Sequence, residues 1–137
     1  MKEKLIGTWH LKSWIAFDPK GNQIYPLGEQ AKGYIMYTED GFMSATIMNP
    51  DRVSNISTGL SLGTIGSGEG SYLSYAGSYE VKDNIAYHHV EVSCIPEMIG
   101  SNQERSFSIA DNTLTINSQT PLQNGTKIKH TLIWTKK

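Results

Sequence analysis

Apolar and polar residues alternate with a period of two along most of this chain. Short clusters of Asp, Asn, Gly and Pro separate the alternating runs. A period of two marks half-buried β-strands, because successive side chains leave opposite faces. The separators are Asp18-Pro19-Lys20-Gly21-Asn22, Glu39-Asp40-Gly41, Asp83-Asn84, Asp111-Asn112 and Asn124-Gly125. These residue types adopt the backbone conformations that tight hairpins demand. Eight or nine strands result, nearly all of them sequential neighbours, which predicts a sandwich or an up-and-down barrel. No ten-residue window carries a convincing 3.6 period. Short helical turns are expected only at 27–31, 49–53 and 96–100.

Parity assigns the faces. In the first strand Trp9, Leu11, Ser13 and Ile15 share one side, opposite His10, Lys12 and Trp14. In the fifth, Leu73, Tyr75, Gly77, Tyr79 and Val81 oppose Ser74, Ser78 and Glu80. In the sixth, Ala86, His88, Val90, Val92 and Cys94 share a face. A two-residue turn at Asp83-Asn84 pairs Tyr79 with His88 and Val81 with Ala86, so the two apolar faces coincide. Across Asp111-Asn112 the same arithmetic pairs Ile109 with Leu114, Phe107 with Ile116 and Arg105 with Ser118. A Glu39-Asp40-Gly41 loop sets Tyr37 and Met43 on one side. The last hairpin conflicts. A tight Asn124-Gly125 turn would put Ile128, His130, Leu132 and Trp134 opposite the Leu114/Ile116 face. Register follows the buried face, so a bulge near Pro121 or a longer loop is expected there, with Trp9 and Trp134 inside where the terminal strands meet.

Composition sharpens this picture. Ser, Thr and Gly number 38, and Ile outnumbers Leu by 14 to 9, both favouring strands over helices. The 137 residues fit one domain. The stretch 49–71 holds five glycines and five serines. It reads either as a surface loop or as a portal flap over a cavity. A net charge of −1 without a basic block argues against nucleic-acid binding. No apolar run is long enough to span a bilayer as a helix. The N-terminus lacks the apolar core of a signal peptide, so a cytoplasmic location is expected. The single Cys94 can form no internal disulfide and is expected to be an inert buried thiol.

The inferred interior carries chemistry. Tyr37, Tyr75, Tyr79, His88, Arg105 and His130 all project inward by parity. A buried tyrosine or a lone strand histidine is commonly a satisfied core residue. The arginine is harder to dismiss, because no carboxylate shares its face and an unpaired buried guanidinium is costly. It calls for hydroxyls, water, carbonyls or a ligand. Adjacent His88 and His89 point to opposite faces, and His88 with His130 lacks an evident third ligand, so no metal is expected. A single interior histidine could ligate haem, but nothing is specific to that, and no cofactor is expected. Neither a nucleophile elbow nor a phosphate-binding glycine motif is present.

Gly7-Thr8-Trp9, opening the first strand, resembles the Gly-x-Trp signature of lipocalins. A longer ordered series extends it. It runs through Tyr25-Pro26-Leu27-Gly28, Lys32-Gly33-Tyr34-Ile35-Met36-Tyr37 and Asp40-Gly41-Phe42-Met43-Ser44-Ala45. Tyr75-Ala76-Gly77-Ser78-Tyr79-Glu80 and His88-His89-Val90-Glu91-Val92-Ser93 follow, then Pro96, Gly100, Gln103-Glu104-Arg105 and Leu132-Ile133-Trp134. In this series the chain is similar to the bacterial and fungal lipocalin-like domain family. The resemblance implies an all-β, calycin-type antiparallel barrel. It implies far less about activity, although some fungal relatives accompany natural-product pathways. The later motifs and the disulfide of secreted lipocalins are not evident here.

The expected function is binding of a small, mostly apolar molecule inside the barrel. Trp9, Tyr37, Met43, Tyr75, Tyr79, Val90 and Phe107 would surround it. His88, Arg105 and His130 would supply polar contacts, and an oxygen-bearing or anionic group would sit at Arg105, whose guanidinium is a fixed fork of donors. Neither nucleic acid nor membrane is an expected partner, and a homodimer is admitted. The alternative is an isomerase, cyclase or hydratase acting on a polyketide-like or lipid-like substrate, with His88 as acid or base. A third reading is a ligand-free barrel that supports assembly.

Overall fold

The computed structural model describes residues 2–51 and 72–137. Most of the predicted flap at 49–71 therefore lies outside the described residues. A short helix α1 (Lys2–Leu5) precedes strands β1 (Gly7–Phe17), β2 (Gln23–Ile24), β3 (Lys32–Tyr37) and β4 (Phe42–Met48). Then come β5 (Tyr72–Lys82), β6 (Ile85–Ser93), a 3-10 turn (Pro96–Met98), β7 (Asn102–Ala110), β8 (Thr113–Pro121) and β9 (Lys127–Lys136). Each strand from β3 to β9 pairs antiparallel with the next, β1 pairs with β3, and β1 also pairs with β9. That last pairing closes an eight-stranded barrel, with β2 attached to the far end of β1. A sheet that closes on itself has no free edge. The sandwich is thereby excluded.

The turn chemistry acts as read. Asp83 and Asp111 sit at φ 57° and 55°, in the left-handed region that Asp tolerates. The resulting hairpins pair Tyr79 with His88, Val81 with Ala86, Ile109 with Leu114 and Phe107 with Ile116. Gly41 at φ 97° closes the β3–β4 turn and places Tyr37 opposite Met43. In the last hairpin a five-residue loop, 122–126, replaces the tight turn, so Leu114 faces Trp134 and Ile116 faces Leu132. The apolar alternation overrides the Asn-Gly signal. Trp9 and Trp134 are both 1% exposed, beside the β1–β9 seam.

Two β-bulges correct the parity assignment. One lies between Leu11 and Ser13, where β1 gains a residue against β9. Leu11 pairs with Trp134 and Trp14 with Leu132, so Trp14 and Ala16 turn inward, and Ser13 and Ile15 do not share the face of Trp9. The other bulge lies where Gly77 pairs with Val90 but Ala76 pairs with Val92. It turns Val92 outward, 61% exposed, and leaves Cys94 exposed rather than buried. A bulge adds one residue to one strand, and every later side chain changes face. Of the expected helical turns, 96–100 forms a 3-10 turn, whereas 27–31 forms only hydrogen-bonded turns.

Helix α1 has no counterpart in the sequence reading. It lies at the end holding the 39–41, 83–84 and 111–112 turns. Leu5 is fully buried there, and its carbonyl accepts a hydrogen bond from Trp9 Nε1 at 2.8 Å. The Lys136 ammonium lies 4.5 Å from the Trp9 ring centre and donates to the Ile6 carbonyl. This end is plugged. At the opposite end the ladders stop early. β1 and β3 pair only as far as His10–Tyr34, and β7 and β8 only as far as Ser106–Asn117. The expected Arg105–Ser118 pair falls one step beyond the β7–β8 ladder.

Candidate functional site

Strands β3, β5 and β6 bring three polar side chains together inside the wall. His88 is fully buried, with Tyr37 Oη 2.7 Å from its Nε2 and Tyr75 Oη 2.8 Å from its Nδ1. The ladder explains the neighbourhood. Tyr79 is directly opposite His88, and Tyr75 lies four residues up β5 on the same face. Tyr79, although opposite His88, donates its hydroxyl to the Thr38 carbonyl at 2.9 Å and packs edge-on against the Tyr37 ring. The two tyrosines that bond His88 are thus Tyr37 and Tyr75, and Tyr79 serves the turn.

Burial disfavours the imidazolium, and the nearby charges of Arg105 and His89 add to that. Together they lower the His88 pKa from 6.5 to about 3. A neutral imidazole has one donor nitrogen and one acceptor nitrogen. One flanking phenol therefore donates to His88 and the other accepts from it. Burial, with repulsion from Tyr75, also holds the Tyr37 hydroxyl well above its ordinary pKa, so that phenol keeps its proton.

A second polar group lies nearer the open end. Trp14 Nε1 donates to His130 Nδ1 at 3.1 Å, and Thr120 Oγ1 lies 2.9 Å from His130 Nε2. Indole N–H is a donor only, so Nδ1 is the acceptor and Nε2 carries the proton toward Thr120. Burial, assisted by Arg105, lowers the His130 pKa. Trp14 and Thr120 were not among the expected site residues. A readable signal existed for Trp14. Apolar residues at 9 and 11, then at 14 and 16, change parity within one strand.

Arg105 stands between the two groups. It is half-buried, its Cζ lies 6.0 Å from the Tyr75 ring centre, and its Nη1 donates to the Glu104 carbonyl at 3.3 Å. Among the described residues no carboxylate forms an ion pair with it; the Glu80 carboxylate pairs with His89 on the outer face. It lines a groove of about 730 Å³ at the part of the wall where β7 and β8 separate. Lys127, Lys129 and His130 share this groove with Glu104 as its carboxylate. A second groove, of about 590 Å³, opens where β1 and β3 part and is lined by Leu11, Ile47, Met48 and Tyr34 among others.

The other expected residues are placed as follows. Met43, Val90 and Phe107 are buried in the core beside this cluster, and Trp9 belongs to the plugged end, engaged by Leu5 and Lys136. His130 and His88 have separate partners and form no joint site. Among the described residues no group of three or more His, Cys, Asp or Glu is placed to hold a metal ion. Trp134 Nε1 is buried and, among the described residues, has no hydrogen-bond partner.

No curated protein matches the chain. A family model described as a lipocalin-like domain matches residues 6–137, from the end of α1 through the last strand. With a closed antiparallel barrel, one plugged end and Gly7-Thr8-Trp9 opening its first strand, the chain belongs to the lipocalin-like domain family.

Proposed function

We propose that this barrel binds a small, mostly apolar molecule carrying an oxygen-bearing or anionic group. The observation that carries this reading is Arg105. A half-buried guanidinium facing a groove, with one weak carbonyl contact and no ion-paired carboxylate among the described residues, is an unmet set of donors. Lys127 and Lys129 line the same groove, against the single carboxylate of Glu104, and with Arg105 make it favourable for an anion. The second groove, with Leu11, Ile47 and Met48 in its lining, offers apolar surface for the body of a ligand. Family membership is consistent with small-molecule binding.

The enzyme alternative has less support. A histidine with a pKa of about 3 is a poor base near neutral pH, and both its nitrogens are already engaged.

The test replaces Arg105 by Met, which removes the charge and keeps most of the volume. Titration with 11-(dansylamino)undecanoic acid, followed by fluorescence, reads affinity, and thermal melting reads the fold. The expected result is an unchanged or raised melting temperature and a loss of about 1.5–3 kcal/mol in binding, the contribution of a charged hydrogen bond. A lowered melting temperature with unchanged affinity overturns the proposal.

A further inference from the structure

We infer that the slot where β7 and β8 part is a strand-addition site, which takes an acidic peptide segment in extended conformation along the β7 edge. The inference goes beyond the small-ligand reading, since it needs the free strand edges and no occupant of the barrel interior.

The barrel closes, but not over its full height. Ser106–Asn117 is the last β7–β8 pair, although β7 begins at Asn102 and β8 runs on to Pro121. Four residues on each strand, 102–105 and 118–121, therefore lie unpaired across the groove of about 730 Å³. Both strands stay paired on their other sides, β7 with β6 as far as Asn102 and β8 with β9 as far as Pro121. They are edges of a sheet, not frayed ends.

The phase of the ladders fixes which backbone groups point into the slot. In an antiparallel strand, alternate residues aim their N–H and C=O at alternate neighbours. Phe107 N–H donates to the Asn84 carbonyl at 2.8 Å, on the β6 side, so Gln103 and Arg105 also face β6, and Asn102 and Glu104 face the slot. Lys136 N–H donates to the Asn112 carbonyl at 2.9 Å, so the even-numbered residues of β8 face β9, and Gln119 and Pro121 face the slot. Among the described residues, hydrogen bonding reaches only one of these groups, the Glu104 carbonyl, which accepts from Arg105 Nη1 at 3.3 Å.

The β7 edge thus offers N–H and C=O together at Asn102 and at Glu104. A small anion meets the donors only. An added strand meets both kinds of group, which is how extended peptides dock on sheet edges. The β8 edge is poorer, because Pro121 has no N–H, so the added strand belongs to β7. Charge sets the class of peptide. Arg105, Lys127 and Lys129 line the slot against the single carboxylate of Glu104, and that surplus of cations selects acidic side chains. A peptide N–H that takes the Glu104 carbonyl also frees the Arg105 fork for a carboxylate.

Hydrogen exchange of the full chain, followed amide by amide by NMR, tests the edges. In the free protein Asn102, Glu104 and Gln119 should exchange at least about tenfold faster than Gln103 and Arg105, which are bonded to β6. Protected Glu104 and Gln119 amides overturn the inference, because the edges are then already paired. The probe is a dansyl-labelled hexapeptide of alternating Glu and Val. It should slow exchange at Asn102 and Glu104, and bind about tenfold or more tightly than the same peptide with Lys for Glu, or with every backbone nitrogen methylated. No binding, equal binding of all three, or binding without added protection at Glu104 overturns the proposal. Glu104→Gln keeps the N–H, removes the repelling carboxylate and should tighten binding; weaker binding counts against the charge argument. Glu104→Pro removes an N–H that faces away from β6, and should abolish binding with the barrel still folded by circular dichroism. Full affinity in that variant overturns the β7 edge as the site, and if it does not fold, the exchange and N-methyl comparisons decide.

Discussion

At His88 two phenols occupy both ring nitrogens and no solvent reaches the ring, so the folded state resists its protonation. The unfolded chain does not. With a folded pKa of about 3 against an ordinary 6.5, the unfolded state binds the extra proton between those values. Stability contributed by the neutral ring is therefore complete above about pH 6.5 and falls as the pH drops toward 3. The slope is about 1.4 kcal/mol per pH unit inside that window. His130, lowered in the same direction, adds to it. Urea unfolding at pH 7.5 and pH 5 checks this. His88→Gln, which can still donate and accept, should lose less stability than wild type on acidification. An identical pH dependence in both proteins would remove His88 as the source. Parity made His88 and Tyr79 neighbours, which they are, but the hydrogen bonds go to Tyr37 and Tyr75. Strand pairing sets which Cα atoms are opposite; side-chain reach across the barrel sets which polar tips meet.

Among the elements, the bulge at Ala76/Gly77 has the largest consequences for the wall. A Cβ on Gly77 would lie 1.8 Å from the His89 carbonyl oxygen, a backbone atom that cannot swing away. Gly77→Ala should thus destabilise by about 3 kcal/mol or more, or prevent folding, as measured by chemical denaturation. A loss under about 1 kcal/mol would mean that the two strands part easily there. The hairpins at Asp83-Asn84 and Asp111-Asn112 were legible because turn chemistry and apolar alternation agree. The bulges were not, because the period-two signal on either side of an inserted residue is equally good. That is why Trp14 was set on the wrong face, and Val92 and Cys94 with it. In the β8–β9 hairpin the two signals disagreed, and burial of Trp134 and Leu132 outweighed the preference of Asn124-Gly125 for a tight turn.

Across the whole molecule the barrel is plugged at one end and parted at the other. Leu5 fills the plugged end and is fully buried in the same cluster as Trp9 and Leu114. Leu5→Ala should cost about 2–5 kcal/mol, seen as a lowered midpoint in denaturant. Its distance from the groove at Arg105 means that probe affinity should hold wherever the variant is folded. If Leu5→Ala instead weakened binding without loss of stability, α1 would belong to the site. At the other end β7 separates from β8 beyond Ser106–Asn117, and that opening is what exposes Arg105 to a groove.

A count of eight or nine strands, mostly paired with their sequence neighbours, three of the hairpin registers and the inward direction of Tyr37, Tyr75, Tyr79 and His88 were determined by the sequence alone. Each follows from local rules, since alternation and turn residues act over a few positions. The meeting of the terminal strands around Trp9 and Trp134 was expected and is found; tertiary structure decided the two bulges, the plug of α1 and the partners of His88. Those depend on residues far apart in the chain, such as Tyr37 and His88, 51 positions distant. Which distant strand lies alongside, and how many residues it contributes to the ladder, is settled only when the whole wall closes around one core.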